Sequence, residues 1–387
     1  MTFFLHRSVG GALVGILASL SLSAQATPLA IPAPKLDSTA YVLMDYDSGQ
    51  ILAQSNGEQP LPPASLTKMM TSYIVEQALR AGRLKPTDQV QVSLNAWCHG
   101  SSTESCMYLP LHGSASVMDI LRGIIIQSGN DASKAIAEHL AGSEAGFADL
   151  MNHEAKRLGM VHTHFANPTG LPDPTHRASA QDLAILARAI IHDSADYYPL
   201  YAEKTFKYNG IQQGNRNALL YTDPSVDGLK TGHTNEAGYC LTASAKRNGM
   251  RLISVLMGSH SMQGRADETR ALFNWGFSAF EETTPVRGGQ VLANAPVQWG
   301  LADSVPAGLA QDWSLTLPRG QSQALSTSVQ LDPHLTAPIA KGAVIGKVVA
   351  MLDHKPYAER PLVAQQAVAH SGLLRSAWQH LRRLSGF

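Results

Sequence analysis

The sequence predicts an α+β fold: an antiparallel sheet flanked by helices, then a second, small β-rich domain and a C-terminal amphipathic helix. Three observations carry this. Short strand patterns open and close residues 27–285, with helical patterns filling the interval. From Val286 to about Val363 helical periodicity gives way to prolines, glycines and short alternating apolar runs such as Trp313-Ser314-Leu315-Thr316-Leu317. In the last stretch Leu373, Leu374, Ala377, Trp378, Leu381 and Leu384 share one helical face, with Arg375, Gln379, Arg382 and Arg383 on the other.

At 387 residues the chain fits two domains, given ~100–200 residues for each. The divisions are 1–26, 27–285, 286–365 and 366–387. His6 and Arg7 precede a largely apolar run, Val9–Leu22, that leads into Ala24-Gln25-Ala26. A short basic region, an apolar core and a small-x-small site read as a secretory signal peptide cut after Ala26, rather than an uncleaved span.

Strands are expected at Ala40–Asp45 and Gly49–Ala53, turning at Tyr46-Asp47-Ser48-Gly49. Pro62 and Pro63 punctuate the chain before a helix over Leu66–Leu79, with Ser65 near its N-terminus. Further helices are expected over Met118–Ile126, Ala132–Leu140 and Ala180–Ile191, broken by the irregular Asn167–Pro174. Strands then return at Asp227–Gly232, Gly238–Ala245 and Met250–Gly258, and a helix follows over Ala266–Phe280. The basic amphipathic tail reads as an interfacial membrane anchor, because its cationic face suits anionic headgroups.

Lys and Arg together number 30, as do Asp and Glu, so the net charge is zero and nothing favours nucleic acid as a partner. Export implies an oxidising compartment. Of the three cysteines, Cys98 and Cys106 lie close in a loop-like segment and could bridge, which leaves Cys240 a free thiol, best read as a packed strand residue. A zinc site from Cys98, His99, Cys106 and His112 lacks the tight paired spacing of such sites, and His162-x-His164 lacks further ligands.

Three motifs carry chemistry. In Ser65-Leu66-Thr67-Lys68 a serine and a lysine three residues apart share a helix face, so the amine can take the hydroxyl proton. Ser128-Gly129-Asn130 follows an apolar run at a turn between helices, which can present polar side chains to a cleft; Ser93-Leu94-Asn95 also matches Ser-x-Asn but lacks that turn. In Lys230-Thr231-Gly232 the lysine and threonine can hold a carboxylate, and the glycine at the strand end lets another backbone or a substrate approach. Singly, Ser65 reads as a cap, Asn130 as a turn former and Lys230 as a solvated strand residue. Their order across one exported α+β domain favours the functional reading, and a closely related motif set characterises penicillin-binding proteins and class A β-lactamases.

With Leu66–Thr71, Gln127–Ala132 and Lys230–Thr234 in this order, the sequence resembles the low-molecular-mass penicillin-binding proteins, the serine-type D-alanyl-D-alanine carboxypeptidases that trim peptidoglycan stem peptides. Thr163-His164-Phe165, Gly210–Leu219, Gly264-Arg265 and Trp275-Gly276-Phe277 extend the likeness over nearly the whole chain. The resemblance implies a serine β-lactamase and penicillin-binding transpeptidase-like fold. It implies Ser65 as nucleophile, neutral Lys68 as base with Lys230 as the cation that depresses its pKa, and Ser128 as proton relay to the departing D-alanine. Asn130 would hold the substrate amide and the lysine, and Lys230 and Thr231 the terminal carboxylate. The backbone N–H groups of Ser65 and His233 would hold the oxyanion, with Gly232 beside them and Arg265 assisting. The partners implied are a stem peptide and β-lactam inhibitors, with no metal or cofactor, at the periplasmic face of the inner membrane. Against a β-lactamase, Phe165–Asp173 carries no glutamate to deacylate the serine. All four of Ser65, Lys68, Ser128 and Lys230 are present, against a non-catalytic wall-binding module. An endopeptidase would share the chemistry.

Overall fold

The computed structural model describes residues 32–98 and 104–372, so the expected signal peptide and the amphipathic faces from Leu373 onward lie outside the described residues. In chain order, β1 (Ala40–Asp45) and β2 (Ile51–Ser55) precede a 3₁₀ turn, Ala64–Thr67, that runs into α1 (Lys68–Arg80). A small hairpin pairs β3 (Gln89–Gln91) with β4 (Ser114–Ser116). Then come α2 (Val117–Arg122), a π turn at Gly123–Gln127, α3 (Asn130–Ala141), α4 (Glu144–Leu158) and α5 (Ala180–Asp193). A second hairpin, β5 (Thr205–Tyr208) with β6 (Ile211–Gly214), leads through α6 (Leu219–Thr222) to β7 (Val226–Thr234), β8 (Gly238–Arg247) and β9 (Met250–Ser259). Helix α7 (Met262–Ala279) and β10 (Phe280–Val286) follow. The remainder is strands: β11 (Val291–Pro296), β12 (Ser304–Gly308), β13 (Trp313–Pro318), β14 (Leu325–Leu331), β15 (Val344–Leu352) and β16 (Lys355–Ala364).

The main sheet has the order β2-β1-β9-β8-β7, every pair antiparallel. Its central strands β1, β9 and β8 are buried on both faces because both are covered. Successive residues point to opposite sides. Ala40, Val42 and Met44 therefore join a core with α1, α3 and α5, while Tyr41 and Leu43 join one with Leu272 and Phe273 of α7. Helix α1 is buried almost all round, from Lys68 to Glu76, as befits the central helix of such a layer.

The described chain groups into two compact units. One contains residues up to Leu292 with Gly308–Gln323; the other contains Ala293–Ala307 and the chain from Ala324 on. The sequence placed a cut at 285/286, but the helix-flanked unit takes in β13, which pairs antiparallel with β10. Alternating apolar runs look alike whichever unit they join. The second unit holds a five-stranded sheet of order β11-β12-β16-β15-β14. It runs past the expected limit at 365, for Val368 and His370 form bridges with Ile339 and Gly300. Among the described residues no helix is long and apolar enough to cross a membrane.

Candidate active site

Ser65 sits in the 3₁₀ turn, not in the α-helix that the sequence suggested, and Lys68 is the first residue of α1. In a 3₁₀ turn residues i and i+3 eclipse, so Lys68 Nζ comes within 3.1 Å of Ser65 Oγ. The turn is entered through Ala64 at φ +48°, a left-handed conformation that a non-glycine residue holds only when its surroundings enforce it. The Lys68 ammonium is fully buried and also donates to Asn130 Oδ1 at 2.7 Å and to the Thr169 carbonyl at 2.5 Å.

Burial lowers the Lys68 pKa to about 7, with the Arg216 guanidinium pushing the same way and Asp131 and Glu104 opposing. The sequence cast Lys230 as the depressing cation. Lys230 is itself held well below its ordinary value, first by burial and then by Lys68, and Arg216 is the cation that acts most strongly on Lys68.

Helix α2 does not run on to Ile126 as expected. It widens into the π turn and ends at Ser128, which is buried and left-handed at φ +65°, a distortion often found at functional sites. The turn aims Ser128 Oγ at Lys230 Nζ, which donates to it at 2.9 Å. Asn130 begins α3; its backbone N–H donates to Ser105 O at 2.7 Å and its Nδ2 to Glu104 Oε2 at 3.0 Å. Asp131 accepts from the Met107 and Leu109 N–H groups at 2.8 and 3.0 Å, which ties the 104–109 segment to this turn.

Lys230, Thr231, Gly232 and His233 lie on β7, the edge strand. The strand continues through Thr234 rather than stopping at Gly232. A Cβ at Gly232 would stand 3.1 Å from Pro63 O and 3.2 Å from the Ser65 and Leu66 nitrogens, so the missing side chain lets the strand approach the serine turn. The His233 ring packs on Tyr239 with centroids 4.1 Å apart. Arg265, on α7, is buried and donates through Nη1 to Gly232 O at 3.1 Å and Cys240 O at 3.3 Å. It braces the β7–β8 backbone and lines the cleft.

The site thus unites all nine residues expected from the sequence in or beside one cleft of about 760 Å³. Sequence reasoning missed Thr169, Gly170, Arg216, Glu104 and Tyr239, which also line it. Asn167 Oδ1 accepts from Thr169 N–H, Thr169 Oγ1 and Gly170 N–H at 2.8–3.1 Å, turning the loop so that Thr169 O meets Lys68. The proline-bracketed Asn167–Pro172 run was legible as irregular backbone, but nothing in it announced a lysine acceptor. Cys98 and Cys106 are joined in a disulfide, so neither is available as a zinc ligand. Cys240 is a buried thiol, pushed up to about 11 by that burial.

A serine paired with a buried lysine whose pKa is lowered to about 7, facing a second serine paired with a second lysine, defines an active-site-serine acyl-transfer enzyme of the penicillin-binding type. Residues 27–261 match the D-alanyl-D-alanine carboxypeptidase family (Peptidase_S11), and 280–370 match the penicillin-binding protein 5 C-terminal domain. The chain is 42% identical over 368 residues to D-alanyl-D-alanine carboxypeptidase DacA of Haemophilus influenzae, covering 94% of each. Among solved structures it resembles penicillin-binding protein 5 from Haemophilus influenzae with a TM-score of 0.85 at 43% identity, covering 88% of this chain and 100% of that one. It also resembles penicillin-binding protein D2 from Listeria monocytogenes in its cefotaxime-bound form (TM-score 0.59, 28% identity), covering 64% of this chain and 99% of that one. The chain belongs to the D-alanyl-D-alanine carboxypeptidase family, a family of serine peptidases.

Proposed function

We propose that this carboxypeptidase removes the terminal D-alanine from peptidoglycan pentapeptide stems through an acyl-enzyme on Ser65. The observation that carries the reading is the Ser65–Lys68 pair at 3.1 Å with the amine held near neutrality. An amine with a pKa of about 7 is substantially neutral at the working pH, and 3.1 Å is within reach for taking the proton of Ser65 Oγ. The freed oxygen attacks the penultimate D-alanine carbonyl. The Ser65 and His233 N–H groups would receive the developing oxyanion, each such donor being worth ~2.7–4 kcal/mol.

Ser128 Oγ, backed by Lys230, passes a proton to the departing D-alanine amine. Lys230 and Thr231 grip its carboxylate, whose negative charge beside Lys230 favours the protonated ammonium. Asn130 spans Lys68 and the substrate amide, and Arg265 keeps the β7 backbone in place. Water then hydrolyses the acyl-enzyme. A β-lactam, which carries a carboxylate and an activated amide, acylates the same serine.

The enzyme acts at the periplasmic face of the inner membrane. Residues 1–26 are its cleaved export signal, and 366–387 hold it peripherally on the lipid. The apolar and basic faces of the tail support this, as does the Cys98–Cys106 disulfide, which belongs to an oxidising compartment. Truncation after Ser371 should move the protein from the membrane to the soluble periplasmic fraction.

Replacing Ser65 with Ala should abolish both covalent penicillin labelling and D-alanine release from a pentapeptide; persistent labelling would overturn the assignment. A crosslinked dimer assayed alongside separates carboxypeptidase from endopeptidase action.

A further inference from the structure

Asn130 touches both Lys68 and a carboxylate outside the motifs. Its Oδ1 accepts from Lys68 Nζ at 2.7 Å, and its Nδ2 donates to Glu104 Oε2 at 3.0 Å. An amide between an ammonium and a carboxylate has one favourable orientation, oxygen to the cation and nitrogen to the anion. With Glu104 removed, Nδ2 loses the acceptor that opposes a flip toward Lys68.

Glu104 is itself firmly held. Two residues on, Cys106 is joined to Cys98, and the next residue, Met107, donates its N–H to Asp131. Ser105 O receives the Asn130 N–H, while Ser105 Oγ receives Arg216 Nη1 at 2.5 Å. The segment therefore grips Asn130 by side chain and by backbone, and grips Arg216 as well.

We infer that Glu104 is a positioning residue for the acyl-transfer reaction: it fixes the Asn130 amide against Lys68, and its negative charge counters that of Arg216 at the base. The inference rests on the carboxypeptidase reading above. The charges that bear on Lys68 are Arg216 and Lys134, which lower its pKa, and Asp131 and Glu104, which raise it. Lys230 lies in the same buried site, its own pKa lowered first by burial and then by Lys68.

The two functions separate in two variants. Glu104→Gln keeps an oxygen for Asn130 Nδ2 and removes the charge; Glu104→Ala removes both. The test is the pH profile of acylation by a fluorescent penicillin, with thermal unfolding measured for each protein. Glu104→Gln should keep most of the plateau rate and shift the acid limb down by about half a pH unit to one unit, because Lys68 loses an anion that stabilises its protonated form. Glu104→Ala should show the same shift and a plateau lower by about tenfold or more, the usual effect of deleting a hydrogen bond to a charged group. Serine replacement of both Cys98 and Cys106 should lower the plateau in the same direction without moving the limb.

An unchanged profile in Glu104→Ala would overturn the inference, as would equal losses in both variants with no shift of the limb. Failure of wild-type protein to label, or labelling of Ser65→Ala, would instead overturn the carboxypeptidase reading.

Discussion

Gly170 lies so close to the Ala64 carbonyl that a Cβ at this position would stand 1.9 Å from its oxygen. The same glycine has φ +82°, which glycine alone adopts without strain. The strained Ala64 and the unstrained Gly170 therefore lock together behind Ser65. Gly170→Ala should cost on the order of 3 kcal/mol of stability. It should also lower penicillin acylation by about tenfold or more, because Thr169 O can no longer reach Lys68. Urea unfolding and labelling rates check this; an unaffected labelling rate would show that the loop does not position the base.

Acylation should rise with pH through about 7, the point at which Lys68 gives up its proton. The sign follows from the base having to be neutral to act. Arg216 lowers the Lys68 pKa, so Arg216→Gln should move this limb upward and slow labelling most below neutrality. Stopped-flow labelling across the range measures it. A limb that stays put would assign the depression to burial alone.

His176 is buried behind the nucleophile turn. Its Nδ1 accepts from Ala166 N–H at 3.0 Å, which leaves Nε2–H to donate to Thr67 Oγ1 at 2.7 Å. Burial lowers its pKa from 6.5 to about 4. The unfolded chain therefore takes up a proton that the fold refuses. The neutral imidazole's contribution is fully present above 6.5 and is lost as pH falls toward about 4; it amounts to about 3 kcal/mol. Urea midpoints should fall more steeply over this window in wild type than in His176→Gln. Parallel curves would exclude His176 as the source.

Glu76 works in the opposite sense. It is fully buried and accepts from Tyr201 Oη at 2.8 Å through Oε1. Burial raises its pKa from 4.5 to about 8. The stability of the protonated carboxyl is present below 4.5 and is lost as pH rises through about 8. Glu76→Gln should flatten the alkaline side of the stability profile, giving a higher melting temperature than wild type at about pH 9. An equal alkaline decline in both proteins would refute this.

Much of this site was legible because its key residues cluster in three short runs whose local chemistry is written in adjacent letters. The strands β1, β7, β8 and β9 were all expected, and β1 has the bounds expected of it. Helix α4 was missed: its apolar residues Phe147, Ala148, Met151 and Ala155 are spread among charges, and its hydrophobic signal is diluted. The π turn was invisible because Gly123–Gln127 reads as a continuation of α2, and only packing decides between α and π. Arg216, Glu104 and Thr169 escaped for a different reason. Each acts on Lys68 or Asn130 across a long stretch of sequence, and no local pattern marks a residue whose partner is fixed by the fold. Burial and Lys230 were the expected causes of a lowered Lys68 pKa; burial leads, and Arg216, a cation brought in by the fold rather than by a local motif, acts with it.

Lys68 finds acceptors 62 and 101 residues away, and Lys230 finds Ser128 across 102. No fragment lacking part of residues 65–230, and no partly collapsed chain, can assemble these contacts, so the capacity to bind a penicillin covalently arises only with the native structure of that unit. A fluorescent penicillin therefore counts folded molecules. Applied as a pulse during refolding or in cells, it would report the yield of export and folding without purification.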